Sequence, residues 1–258
     1  MKKWSLSLMM SGFIAAAAPF AVLAQSDSAE PACSPDALGT SRTLTLKREY
    51  VGYGSEQYGR LPLEPGEVVI TFDDGPRPET LDRVLKALSD ECVKATFYMT
   101  GANLVEYPEL GQRVVQAGHT AGLHSFAHPV LPSMPVAEQL ADIDQGLEAF
   151  VKVFGAETAS YRFPFLAESP AILKVLKEKN ITVASVDLGI KDYWPNDMQT
   201  PAMVGRLKEE LDRSKGGILL IHDANGPTAD ALPALLKTIK DKGYKIVHLR
   251  WEDAPTEP

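Results

Sequence analysis

Cysteine is almost absent. Only Cys33 and Cys92 occur in 258 residues, and neither has a second Cys or a His close by in sequence, which leaves no zinc-finger-type spacing. Basic residues are short as well: Lys and Arg total 26 against 34 Asp and Glu, for a net charge of −8. The basic stripe that nucleic-acid binding needs is missing. No phosphate-cradling G-x-G-x-x-G occurs; Gly52, Gly54 and Gly59 come nearest, and the third lies too far along. There is no 20–50-residue repeat and no internal linker. With 45% apolar and 23% charged residues, 19 Gly and 19 Pro, collagen-like, coiled-coil and wholly disordered chains are also excluded. The length suits one large α/β domain, or two small ones, with a full-sized core.

One long apolar run does exist, from Leu6 to Ala24, behind Lys2 and Lys3. With Val22 and Ala24 at −3 and −1 before Gln25, residues 1–24 read as a secretory signal cleaved near Ala24. An uncleaved anchor is the alternative, since such a run nearly spans a bilayer; Pro19 and the alanine run favour cleavage. Losing two lysines and no acid takes the net charge from −8 to −10. The mature chain is then expected to be secreted or periplasmic, with no membrane anchor left. In that compartment an even pair of cysteines reads as one disulfide, Cys33–Cys92. Closing so long a loop is worth roughly 4 kcal/mol of chain entropy.

Residues 25–66 read as a flexible, Ser- and Pro-rich lead-in followed by a hairpin or edge loop broken by glycines. From residue 67 a regular alternation begins. Strand-like runs fall at 67–72, 95–99, 119–124, 159–163, 181–187, 217–222 and 244–249. Between them lie helix-period stripes, among them Leu81, Val84, Leu85 and Leu88, then Val136, Leu140, Ile143 and Leu147, then Leu232, Leu235, Leu236 and Ile239. About seven strand–helix units predict an α/β fold with a mainly parallel sheet. Periodicity does not distinguish a closed barrel from an open, doubly wound sheet. Residues 251–258 read as a polar tail.

Parallel α/β folds carry their chemistry at the carboxyl ends of the strands, and there the unusual residues collect. Asp73 and Asp74 end the first run, His124 the third, Arg162 the fourth, Asp187 the fifth and His222 the sixth. Asp73-Asp74-Gly75-Pro76 could be a plain turn, yet adjacent carboxylates repel unless a cation or an arginine balances them. His124 and His128, four apart, are a surface pair or two ligands of one metal. Arg162, buried by its neighbours, needs a carboxylate. His222 could be a hydrogen-bonded core histidine, and His119 and His248 have no partner motif. Taken together, one carboxylate, two imidazoles, a second carboxylate, a further histidine and an arginine are the parts of metal-assisted acyl hydrolysis. Two His and one carboxylate also make the iron-oxygenase triad; Asp73, His222 and the α/β setting argue against it.

The order Thr71-Phe72-Asp73-Asp74-Gly75-Pro76, His124-Ser125-x-x-His128-Pro129, Arg162-x-Pro164-Phe165 and Leu220-x-His222 resembles the polysaccharide deacetylases (carbohydrate esterase family 4, the NodB homology domain) over residues 67–250. The resemblance implies a distorted parallel (β/α) barrel with fewer than eight regular repeats. It implies that Asp74, His124 and His128 hold a divalent metal, zinc first and Co2+, Ni2+ or Mn2+ as alternatives. Asp73 would be the catalytic base, Arg162 its orienting partner and His222 the acid that protonates the leaving amine. The backbone N–H of Phe165, after Pro164, would face the oxyanion, and Leu220 would seat the acetyl methyl. Two departures stand out. The fourth motif is stretched, so that Asp187 or Asp192 is the partner of His222, with Asp192 preferred, and Tyr193 or Trp194 supplies the aromatic. Leu166 replaces the family's usual residue after Phe165. The implied partner is a glycan, with N-acetylglucosamine polymers ahead of O-acetylated xylan or exopolysaccharide as substrate. A catalytically dead glycan-binding protein is the remaining alternative. The chain carries no signal for an oligomeric state.

Overall fold

The computed structural model describes residues 1, 33–194 and 198–252. The expected signal segment, its cleavage point near Ala24 and most of the 251–258 tail lie outside the described residues. The chain divides into two compact units, Met1–Ala32 and Cys33–Pro258; the second carries every element named below.

β3 (Glu67–Asp73) is buried at every position, as expected of a strand covered on both faces. Around it run parallel strands β4 (Thr96–Met99), β5 (Thr120–Leu123), β6 (Ser160–Tyr161) and β7 (Thr182–Ala184) on one side, and β9 (Gly217–His222) then β8 (Leu188–Gly189) on the other. Seven parallel strands thus form a barrel that is interrupted between β7 and β8, the distorted α/β barrel expected. Helices α1 (Leu81–Asp90), α2 (Gly101–Glu106), α3 (Pro108–Gln116), α4 (Val136–Phe154), α5 (Pro170–Glu178), α6 (Thr200–Ser214) and α7 (Gly226–Asp241) connect the strands. Their apolar stripes, including Leu81, Val84 and Leu88 and Leu232, Leu235, Leu236 and Ile239, pack into one core with the strands. Among the described residues no helix is long and apolar enough to cross a membrane.

Three expectations change. The run at 181–187 holds one barrel strand, β7; the chain bends at Asp187 and a separate short strand, β8, follows at Leu188–Gly189. The run at 244–249 belongs to β10 (Lys245–Trp251), which is not a barrel stave. It pairs with β3 only at Glu67–Val68, then crosses the amino ends of β5 and β7. There Thr120 meets His248 and Leu249, and the Trp251 indole donates to Thr182. Trp251 is therefore buried strand rather than polar tail.

The hairpin expected before residue 66 does not form. β1 (Thr40–Leu46) pairs in parallel with β10, while β2 (Gly52–Tyr53) pairs in parallel with β7. The glycines there serve packing: a Cβ on Gly52 would lie 2.2 Å from the Tyr58 ring, and Gly54 (φ +113) lies against the Ser185–Val186 backbone. A two-residue period reports a strand but not its partner. Cys33 and Cys92 are disulfide-bonded, with Cα atoms 5.9 Å apart. Next to this bond Gly39 donates to the Glu91 carbonyl and Leu38 to its carboxylate, so the chain is tied down before β1 begins.

His119 and His248 sit in the barrel floor, buried, with His119 Nδ1 accepting the Ala95 N–H at 3.1 Å. Burial, reinforced by Lys94, depresses the pKa of His119 to about 3; burial and Arg250 bring His248 to about 4. Both are neutral in the fold, while an unfolded histidine charges near 6.5. Their contribution to stability is complete above about pH 6.5 and is lost as pH falls toward 4 and then 3. The urea midpoint is accordingly expected to fall from pH 7 to pH 4.5. His119→Gln, which keeps an acceptor for Ala95, should show a shallower fall; an unchanged slope would remove His119 from this account.

Candidate active site

The carboxyl ends of β3, β5, β6 and β9 converge on a cleft of about 340 Å³, lined by Asp73, Asp74, His124, His128, Phe163, Phe165, Leu166, Tyr193, Leu220 and His222. Register places the two ends of the site side by side, since Asp73 pairs with His222 across β3 and β9.

The chain turns sharply after β3. Asp74 takes a left-handed backbone there (φ 76). Asn103 on α2 holds this turn by donating to the carbonyls of Asp74 (2.7 Å) and Gly75 (3.3 Å). The loop after β5 is held from three sides. Asp142 on α4 accepts the N–H groups of Phe126 and Ala127, the amino end of α2 donates to the carbonyls of Ser125 and Phe126, and Ser125 Oγ accepts the His128 N–H. Asn103 and Asp142 left no signal in the sequence, because a polar residue in a helix stripe looks like a solvated position.

Asp74, His124 and His128 meet. His124 Nε2 and His128 Nε2 lie 3.4 and 3.2 Å from Asp74 Oδ1, and their ligand atoms lie within 4.8 Å of one another. His124 Nδ1 is 2.9 Å from the Arg162 carbonyl. Only a donor can bond there, so Nε2 keeps its lone pair for a ligand. Asp74 Oδ1 is buried without a hydrogen bond of acceptable geometry. Burial would raise its pKa, but His124, helped by His222 and His128, holds the carboxyl down at about 2. Burial and the neighbouring His124 push His128 below its ordinary value, against the opposing pull of Asp74 and Asp73. A buried carboxylate oxygen with two imidazole Nε2 atoms within 3.4 Å of it fits a divalent cation.

Asp73 is buried behind this trio. Arg162, wholly inaccessible to solvent, donates to Asp73 Oδ1 at 2.7 Å and Thr71 Oγ1 at 2.8 Å, and to the carbonyls of Ala184 and Ser185. The other Asp73 oxygen is 3.7 Å from His124 Nε2, facing the cleft.

At the end of β9, His222 Nδ1 lies 2.8 Å from Asp192 Oδ1. Asp192 Oδ2 accepts from the His222 backbone and the Thr228 hydroxyl. Burial would lower the His222 pKa; the Asp192 bond and charge, with Asp73 and Asp74, lift it to about 9. Asp187 is elsewhere. It accepts from Ser55 and Ile218 backbone N–H groups beside Arg60, clasping the barrel break. Asp223, next to His222, is also buried, and neither of its oxygens has a hydrogen-bond partner. Burial, with Asp74 and Asp73, raises it to about 8.

Of the expected substrate contacts, Phe165, Tyr193 and Leu220 line the cleft and Pro164 does not. Pro164 is buried at the start of a short turn (164–166), and the left-handed backbone at Phe165 (φ 57) swings that ring outward, 64% exposed. The Phe165 ring packs on His128 and Tyr193 on His222, at 4.6 and 5.5 Å between centroids. Leu166, the departure in this motif, also has positive φ (54) and lines the cleft beside Phe165.

Residues 61–184 match the family described as polysaccharide deacetylase. The chain is similar to the peptidoglycan-N-acetylmuramic acid deacetylase PdaC of Bacillus subtilis, 30% identical over 72% of this chain and 38% of that protein. It is 30% identical to a peptidoglycan-N-acetylglucosamine deacetylase of Bacillus cereus, over 69% and 67% of the two chains. It is 29% identical to the chitin deacetylase of Colletotrichum lindemuthianum, over 71% and 78%. Among solved structures, the peptidoglycan deacetylase of Bdellovibrio bacteriovorus superposes with a TM-score of 0.72 at 27% identity, over 82% of this chain and 59% of that one. The chain thus spans well under half of the Bacillus subtilis relative and about two thirds or more of the other two curated ones.

Replacing Asp192 with Asn removes the charge that does most to hold His222 up, and leaves burial opposed by Asp73 and Asp74. In metal-free protein the imidazole NMR titration of His222 should then move well down from about 9. A midpoint still near 9 would assign the shift to another group.

Proposed function

Given that the chain belongs to the polysaccharide deacetylase family, we propose that it is a secreted, metal-dependent enzyme. The reaction is hydrolysis of N-acetyl groups on an N-acetylglucosamine-containing glycan to free amine and acetate. The observation that carries this reading is one cleft holding both groups. Asp73 lies beside the Asp74–His124–His128 trio, and His222 stands next to it on the neighbouring strand.

Asp74, His124 and His128 hold the cation; two imidazoles with one carboxylate suit zinc better than magnesium or calcium. A bound divalent ion supplies Lewis acidity that polarises the acetamide carbonyl and acidifies the attacking water. Asp73 takes the proton from that water, held in place by Arg162. His222 gives a proton to the departing nitrogen, because an amine anion is too basic to leave unaided. Asp192 keeps His222 protonated for that step, which its raised pKa near 9 supports. Leu220 and Tyr193 seat the methyl group, and the Phe165 backbone N–H meets the developing oxyanion. The Cys33–Cys92 disulfide supports an oxidising location outside the cytoplasm.

Acetate release from peptidoglycan, chitooligomers and acetylxylan, assayed side by side, tests the reaction. Turnover of either N-acetyl polymer is expected; release from acetylxylan alone would make the protein an O-deacetylase with the same site, and none at all a binding protein. His128→Ala should lose both stoichiometric zinc and activity. Asp73→Asn should keep zinc, measured by elemental analysis, and lose most activity. Zinc loss in Asp73→Asn would show that Asp73 and Asp74 had been assigned each other's roles.

His222→Ala separates acid catalysis from structure. On an N-acetyl substrate it should lose roughly two to four orders of magnitude, the usual span of general acid catalysis. On an aryl acetate, whose phenoxide leaves without a proton, the loss should be far smaller. Equal losses on both would place His222 in structure or binding.

A further inference from the structure

We propose that Tyr98 is a positioning residue for the hydrolysis assigned above, and the proposal rests on that assignment. Its ring seats the guanidinium of Arg162, which in turn fixes the carboxylate of Asp73.

The side-chain hydrogen bonds of Arg162 run outward from the edge of its guanidinium, to Thr71 Oγ1, Asp73 Oδ1 and the carbonyls of Ala184 and Ser185. Bonds of that kind set the rotation and reach of a planar fork but resist tilting out of the plane weakly. Tyr98 packs against this group. Its ring centroid lies 4.2 Å from Arg162 Cζ, with both side chains buried. A desolvated cation over an aromatic face is at the strong end of such contacts.

Two register relations place this ring here and make room for it. Parallel register sets Tyr98 beside Asp73 across β3 and β4. On the other neighbour the same register sets Gly122 beside Tyr98, and a Cβ on Gly122 would lie 2.6 Å from the ring. The Tyr98 hydroxyl is buried beside that of Ser160 and takes no part in the contacts of Arg162. What the site uses is the ring. Burial also raises the hydroxyl pKa, so the group over the cation stays neutral.

The test compares Tyr98→Phe with Tyr98→Leu in the disulfide-bonded, zinc-loaded protein. Tyr98→Phe keeps the ring and should remain within about twofold of the parent in kcat and KM. Tyr98→Leu should lose roughly ten- to hundredfold in kcat, with KM within about twofold and zinc content unchanged. The side-chain NMR signal of Arg162 is read in all three proteins. Tyr98→Leu should move the Nε–H downfield, by loss of the ring current, and speed its exchange, while Tyr98→Phe leaves it in place. An unmoved Arg162 signal in Tyr98→Leu, or a Tyr98→Phe variant as impaired as Tyr98→Leu, would overturn the proposal. A parent protein that releases no acetate overturns the deacetylase reading instead, because the Arg162 signal still reports on the ring.

Discussion

The buried pair of Arg162 and Asp73 is the constraint around which the rest of the barrel is arranged. A guanidinium with no solvent access is tolerated only if carboxylate and carbonyl acceptors surround it, and removing one partner of such a pair typically costs about 3–5 kcal/mol. Two of its acceptors are the carbonyls of Ala184 and Ser185, at the end of β7 and the first residue of the break. Had β7 and β8 been laddered together, those carbonyls would serve the sheet. The break between them therefore belongs to the site as much as to the fold. β2 supports it from outside, with Ser185 N–H donating to the Tyr53 carbonyl and Asp187 tying the far end to Ser55 and Ile218.

From that centre the cleft divides into two charge regimes. In one, Asp74 is held far down by the histidines near it, ready to meet a cation. In the other, His222 is held up by Asp192 and by both aspartates of the turn, ready to give a proton. Each depends on the other, since the carboxylates that help raise His222 are themselves lowered or balanced by cationic groups. The two aspartates have different partners: Asp74 meets the histidines while Asp73 stays with Arg162.

The two aspartates of the stretched fourth motif show how far local reasoning reaches. Asp187 and Asp192 both follow an apolar run and both are buried. One clasps the barrel break and the other grips His222, and only the path of the chain after β8 tells them apart. The glycine-punctuated stretch before residue 66 is similar. Its strands were legible, but their partners are β10 and β7, from the far end of the sequence and the middle of it, and no local pattern encodes a parallel partner some 130 or 200 residues away. Pro164 is buried beside the cleft rather than lining it, because the left-handed turn at Phe165 decides which neighbour faces it, and a non-glycine residue gives no notice of that turn.

By itself the sequence determined the α/β alternation, the strand ends at which Asp73, Asp74, His124, Arg162 and His222 gather, and the chemistry that such a set can perform. These follow from periodicity and residue type, which are local properties. The tertiary structure decided what depends on direction and distance. It selected Asp192 over Asp187, placed Asn103 and Asp142 behind the turns that carry the ligands, laid Tyr98 against Arg162, and assigned the seventh barrel strand to β8 rather than β10. The physical reason is that a side chain's role is set by which others it meets across strands, and register and closure are properties of the whole chain.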